Sequence, residues 1–175
     1  MFPLRIRWFR APFALVALAI LAWPAAAQSD AHIVYLVRHA ERAENGTGDP
    51  PISRAGEARA ELLSEMLRDA GVTHVHSTDY TRTRSTGAPA ANANRVETQL
   101  YDPRDLPGFA EQLRASPGRH LVVGHSNTTP ELVAALGGEP GGPIDEMEYD
   151  RLYILTITDV GVSTVLLRFG ERFGS

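Results

Sequence analysis

The chain contains no cysteine and no lysine among its 175 residues. Without cysteine there is no disulfide, no thiolate nucleophile and no thiol for lipidation of an exported protein. Without lysine there is no amine nucleophile or Schiff-base former. All 17 basic side chains are arginines, a bias we read as genomic. A long apolar run is also missing. The stretch FALVALAILAW at residues 13–23 has eleven residues, whereas a bilayer core of about 30 Å needs roughly 20. The sequence shows no internal repeat, low-complexity tract or long linker.

The short apolar run has another meaning. Arg5, Arg7 and Arg10 precede it, Pro24 ends it, and Ala25-Ala26-Ala27 follows, which is the layout of a secretory signal. The expectation is a signal peptide over residues 1–27, cleaved after Ala27, and one domain over residues 28–175. The product is then periplasmic or secreted, without stable membrane insertion. Losing three arginines takes the formal charge from −4 to −7, which disfavours nucleic acid and anionic membrane surfaces as partners.

Along the mature chain, β-type and helical patterns alternate. Residues 33–37 (IVYLV) read as a buried strand. Ser53 is placed to cap a helix running to Ala70, with Ala58, Leu62, Met66 and Ala70 as its apolar positions and Gly71 as terminator. Residues 72–77 read as a second strand. Residues 80–93 form a weaker helix, interrupted by Gly87 and Pro89. A short strand is expected over 96–100, a helix over 107–116, a strand over 120–123 and a helix over 129–136. Residues 151–158 and 162–169 are β-rich and flank a hairpin signal, Asp159-Val160-Gly161. This order predicts a three-layer α/β/α sandwich with a mostly parallel sheet and a C-terminal antiparallel edge hairpin.

In such a sheet, ligands bind beyond the carboxyl ends of the strands. Two predicted strands end in histidine, at Arg38-His39-Ala40-Glu41 and at Gly124-His125-Ser126-Asn127. A third ends at Ser77-Thr78-Asp79 and leads into Arg82 and Arg84 at a helix start. The segment after His125 also enters a helix N-terminus, which favours an anion. Two imidazoles, two or three guanidinium groups and a helix N-terminus on one rim suit a phosphate dianion. A neutral histidine nitrogen can attack phosphorus, and a second histidine can bear charge on the transferring oxygens.

These residues carry a family resemblance. Arg38-His39-Ala40-Glu41 resembles the Arg-His-Gly-Glu signature of the histidine phosphatase (phosphoglycerate mutase-like) superfamily, branch 1. Asp79 to Thr86 (DYTRTRST) resembles its second block, ending in Arg-Ala-x-x-Thr, and Val123-Gly124-His125-Ser126 resembles its third, Val-x-His. The resemblance implies a metal-independent, cofactor-free phosphohydrolase acting on a small phosphomonoester or phosphoramidate. It implies His39 as the residue phosphorylated in turnover, with Arg38, Arg82 and His125 completing the pocket. Arg84 lies where the family varies. Ala40 departs from the usual glycine. Ser126 stands where the acid phosphatase branch has its proton-donating aspartate. The segment from Gly87 to Gly118 is too short for the insertion on which the mutase branch carries a glutamate. The lean form resembles small bacterial phosphohistidine and sugar-phosphate phosphatases, and export disfavours a glycolytic mutase.

Other clusters have plainer expectations. His74 and His76 share a strand face and suggest either a metal pair or packing, with packing preferred because no carboxylate-rich third ligand is evident. His32 and His120 are expected to be exposed, and Glu41 to orient the Arg38-His39 backbone. Asp145, Glu146, Glu148 and Asp150 read as a solvated acidic loop rather than a cation site. The candidates for a general acid are Asp102, Asp105, Glu97 and Glu41, or none. Two competing functions stay open: a metal-dependent hydrolase using His39, Glu41 and His125, and a catalytically silent domain that captures phosphorylated ligands. The physiological substrate and the oligomeric state are not written in the sequence.

Overall fold

The computed structural model describes residues 32–174. The expected signal peptide and its cleavage point lie outside the described residues. The elements are β1 (His32–Arg38), α1 (Arg54–Met66), β2 (His74–Ser77), α2 (Thr81–Asn94), β3 (Thr98–Leu100), α3 (Leu106–Ala115), β4 (Arg119–Gly124), α4 (Thr128–Ala135), β5 (Arg151–Thr158) and β6 (Gly161–Arg168), with a 3₁₀ turn at Arg68–Ala70. The sheet order is β3-β2-β4-β1-β5-β6. β1 to β4 are mutually parallel, and β5 and β6 are antiparallel additions at one edge. This is the architecture that the strand–helix alternation predicts.

The sheet is apolar on both faces, so its strands read as continuous apolar runs. On one face Tyr35, Val37, Val75, Leu121 and Val123 pack against Leu63 and Leu67 of the α1 region and Ala90 and Ala91 of α2. On the other, Val34, Leu36, Val122 and Tyr153 pack against Phe109 and Leu113 of α3 and Leu132 and Val133 of α4. Each fully buried leucine stabilises the fold by roughly 1.5–3 kcal/mol relative to exposure. α2 tolerates Gly87 because a Cβ there would meet Val75 Cγ1 at 3.2 Å and Val123 Cγ2 at 3.4 Å. The glycine lets the helix lie close on the sheet.

Three expectations need correction. The buried face of α1 is Gly56, Arg59, Ala60, Leu63 and Ser64, while Leu62 and Met66 are exposed. The four-residue spacing picked the neighbouring stripe. His120 is fully buried rather than exposed, because β4 lies inside the sheet. Its Nε2–H donates to the Ser116 carbonyl at 2.9 Å, and its Nδ1 shares a 3.0 Å hydrogen bond with His76 Nε2. His74 stacks on His120 with ring centroids 4.5 Å apart, so the three histidines form a packed stack. His32 is half-buried. The 145–150 segment is solvated only in its first half: Asp145 and Glu146 are exposed as expected, but Glu148 and Asp150 are 3% and 2% exposed. Arg151 and Arg168 pair with Glu148, and Arg168 also pairs with Asp150.

Candidate functional site

The strand register sets the first geometry. Arg38 pairs with Gly124, and Ser77 with Val123, so β1, β2 and β4 end at one level. His39 and His125 are the next residues out. The His39 N–H donates to the Gly124 carbonyl at 2.9 Å, and the two rings lie 5.5 Å apart, edge to face. Gly124 has no room for a side chain: a Cβ would meet Thr128 Oγ1, Thr129 Oγ1 and Tyr101 Oη at 3.0 Å each.

Arg38, His39, Arg82 and His125 line a single cleft of about 580 Å³ together with Arg42, Tyr80, Arg104, Glu146 and the N-terminal end of α4, where Ser126 and Asn127 lead into Thr128. Arg38 and His39 are buried. His39 Nδ1–H donates to the Ala40 carbonyl at 2.8 Å, because a carbonyl can only accept. That fixes the tautomer and leaves the Nε2 lone pair free in the neutral ring. Burial pushes the His39 pKa down to about 3, against the Ala40 hydrogen bond and with the help of the Arg38, Arg82 and His125 charges. His125 is lowered to about 4 by burial, then by Arg82 and Arg38. Its Nε2 shares a 2.9 Å hydrogen bond with Thr78 Oγ1.

The guanidinium groups are held by aromatic rings. Arg38 lies over Tyr149 at 4.2 Å and Arg82 over Tyr80 at 4.4 Å, arrangements that favour a cation. Arg38 Nη1 also donates to the carbonyls of Asp145 and Glu148. Both arginines keep a buried Nε–H without an acceptor. Unpartnered buried donors are costly, and here two of them belong to residues of one cleft. Arg84 pairs with Asp79 instead and does not line the cleft.

The carboxylates separate. Glu41 accepts two or more hydrogen bonds from Arg59 of α1 at 2.7–3.0 Å, so it is not free to join His39 and His125 as a ligand set. Asp102 is bidentate with Arg104, whose hydrogen bonds hold its pKa down to about 2, and it lines the neighbouring cleft. Asp105 caps α3 by accepting from Gly108 N–H at 3.1 Å. Glu97 precedes β3, level with His74 and so at the opposite end of the parallel strands. Glu146 of the acidic 145–150 stretch lines the cleft. Tyr80, Tyr149, Arg42 and Arg104 also went unnoticed. The 145–149 segment is brought to the rim only by the antiparallel placement of β5 beside β1. No local pattern announces that.

Residues 34–104 match the family model of the histidine phosphatase superfamily (branch 1). A curated relative, "Probable phosphoglycerate mutase GpmB" of Yersinia enterocolitica, is 35% identical over 121 residues, covering 66% of this chain and 54% of the relative. The chain thus spans about half the length, or less, of the curated relatives it matches. Among solved structures, the protein histidine phosphatase SixA complexed with tungstate superposes with a TM-score of 0.61 at 17% identity, covering 77% of this chain and 94% of the other. A mycobacterial glucosyl-3-phosphoglycerate phosphatase superposes with a TM-score of 0.61 at 14% identity, covering 79% and 98%. At these identities the likeness is one of fold.

Proposed function

This chain belongs to the histidine phosphatase superfamily (branch 1), and from that premise we propose that it is a metal-independent phosphohydrolase of small phosphomonoesters or phosphoramidates, working through a phosphohistidine on His39. The observation that carries the reading is the cleft itself. A histidine whose Nδ1–H is tied to the Ala40 carbonyl lines one cavity with two arginines whose buried Nε–H groups lack acceptors.

The chemistry follows from those groups. Arg38, Arg82 and the first turn of α4 hold the phosphate oxygens and offset their repulsion of the incoming lone pair. His39 Nε2 attacks in line, the N–P bond forms and the bond to the leaving group breaks. Water then attacks phosphorus, and the electron pair of the N–P bond returns to Nε2. His125 bears charge on the transferring oxygens in both steps. The arginines supply the positive field that a divalent cation gives other phosphoryl-transfer enzymes. We also propose export, with residues 1–27 as a cleaved signal, for which intact mass of the periplasmic product is the check.

Rapid quenching with ³²P-labelled substrate tests the reading. An acid-labile, base-stable label on His39, lost together with turnover in His39→Ala, is the expected result, with turnover unchanged in EDTA. Label on Ser126, or full activity in His39→Ala, overturns it. Binding of phosphorylated ligands without turnover supports the silent-domain alternative instead.

A further inference from the structure

An alkoxide leaving group needs a proton, and the four carboxylates expected to supply it are occupied or elsewhere. Among the described residues, one carboxylate lines the phosphate cleft, that of Glu146. It sits on a tight turn with defined supports. The Asp145 N–H donates to Glu148 Oε2 at 3.1 Å, and the Met147 N–H to Asp145 Oδ1 at 2.9 Å. Glu148 is anchored by Arg151 and Arg168. The turn is also fastened to the site, since Arg38 Nη1 donates to the Asp145 and Glu148 carbonyls at 2.8 and 3.0 Å.

Depth gives the carboxylate its position relative to the reaction. His39 is 4% exposed, whereas the Glu146 side chain is 72% exposed and meets Arg42 at 2.9 Å. An in-line displacement puts the attacking and leaving atoms on opposite sides of phosphorus. Attack from a buried His39 sends the leaving oxygen outward, toward the mouth where Glu146 stands. An exposed ion pair is weak and opens readily, so a bound phosphate can draw Arg42 away from the carboxylate. A neighbouring dianion then favours the protonated carboxyl.

Resting on the phosphatase reading, we infer that Glu146 is the proton donor to the leaving oxygen. In the first step the P–O bond breaks as N–P forms, and the Glu146 carboxyl proton goes to the alkoxide. In the second, the Glu146 carboxylate takes a proton from water as the water oxygen attacks phosphorus and His39 departs. The balance is ester plus water to alcohol plus phosphate, with Glu146 protonated again.

The test compares wild type, Glu146→Gln and Glu146→Asp on a phosphate-ester series from p-nitrophenyl to alkyl leaving groups. Wild type shows a shallow dependence of kcat/KM on leaving-group pKa. Glu146→Gln steepens it, losing about 10²–10⁴-fold on alkyl esters and far less on p-nitrophenyl phosphate, while Glu146→Asp recovers part of the loss. Glu146 is exposed, so thermal melts of the variants match wild type. An unchanged dependence in Glu146→Gln overturns the assignment while leaving the phosphatase reading intact. Absence of wild-type turnover of every ester in the series and of a phosphoramidate such as phosphohistidine overturns the phosphatase reading itself.

Discussion

His39 can attack phosphorus only while its Nε2 lone pair is free, so the charge state of two imidazoles decides whether the cleft works. Burial and the Arg38 and Arg82 charges hold His39 down to about 3 and His125 to about 4. Both are therefore neutral throughout the range in which an ordinary histidine, with a pKa near 6.5, would titrate. In an NMR titration, the ring signals assigned through His39→Ala and His125→Ala should not move between pH 8 and 5. A midpoint near 6.5 for either would show that the arginines and the burial do not act as described. The arginines themselves separate at this scale. Arg82→Ala should lower kcat/KM about 10²–10³-fold, the range seen for removing one charge-stabilising donor. Arg84→Ala should cost less than tenfold, because Arg84 pairs with Asp79 away from the cleft. Equal losses would mean that the anion lies elsewhere. That Arg38, His39, Arg82 and His125 share one cleft was legible because each stands at a strand end or helix start, where sequence and topology coincide. Glu146 and Tyr149 were not, since their turn owes its place to pairing between β1 and β5, more than a hundred residues apart.

Between elements, the site depends on a few long-range fastenings. Thr86 of α2 accepts from the Ala40 N–H at 2.9 Å and donates to the Arg82 carbonyl at 2.8 Å. One hydroxyl thereby links the end of β1 to the turn of α2 that carries Arg82. Thr86→Val keeps the shape and removes the hydroxyl, leaving a buried N–H without an acceptor, a loss of about 1–3 kcal/mol. It should lower both Tm and kcat, and Thr86→Ser should restore both. A Thr86→Val variant as active and as stable as wild type would show that this hydroxyl does not hold the end of β1 to α2. On the other side of the same loop, Arg59 of α1 holds Glu41 and donates to the carbonyls of Phe169 and Glu171. This explains why the face of α1 was misread. A pattern search assigns arginine to solvent, yet Arg59 is buried by partners far away in sequence, while Leu62 and Met66 stay exposed. The succession of strands and helices along the chain was legible because apolar runs and turn residues are local. Which helical stripe faces inward was decided by an ion pair that is not.

Across the whole molecule, several histidines are buried in forms that resist protonation. His39 and His76 are lowered to about 3 and His125 to about 4, with burial the largest cause in each, and His120 is lowered as well. His76 and His120 belong to the stack at the far end of the sheet, where His120 donates to Ser116 and offers Nδ1 to His76. In the unfolded chain each has a pKa near 6.5. Above that value both states hold these rings neutral, and stability is independent of them. As pH falls below 6.5 the unfolded state takes up protons that the folded state refuses, so stability declines, by up to about 1.4 kcal/mol per pH unit for each such ring. The decline continues until pH passes the folded values near 4 and 3. Carboxylates held low in the fold, Glu148 among them at about 2, against its burial, through hydrogen bonds from Arg151 and Arg168, add their own loss only below about pH 4.5. The window from pH 6.5 to 5 therefore isolates the histidines. Urea midpoints measured across it should fall steadily, and His76→Leu should reduce the slope by about one proton whatever it does to stability at pH 7.5. A midpoint that stays constant from pH 7.5 to 5, or an unchanged slope in His76→Leu, would show that these rings protonate as readily in the fold as in water.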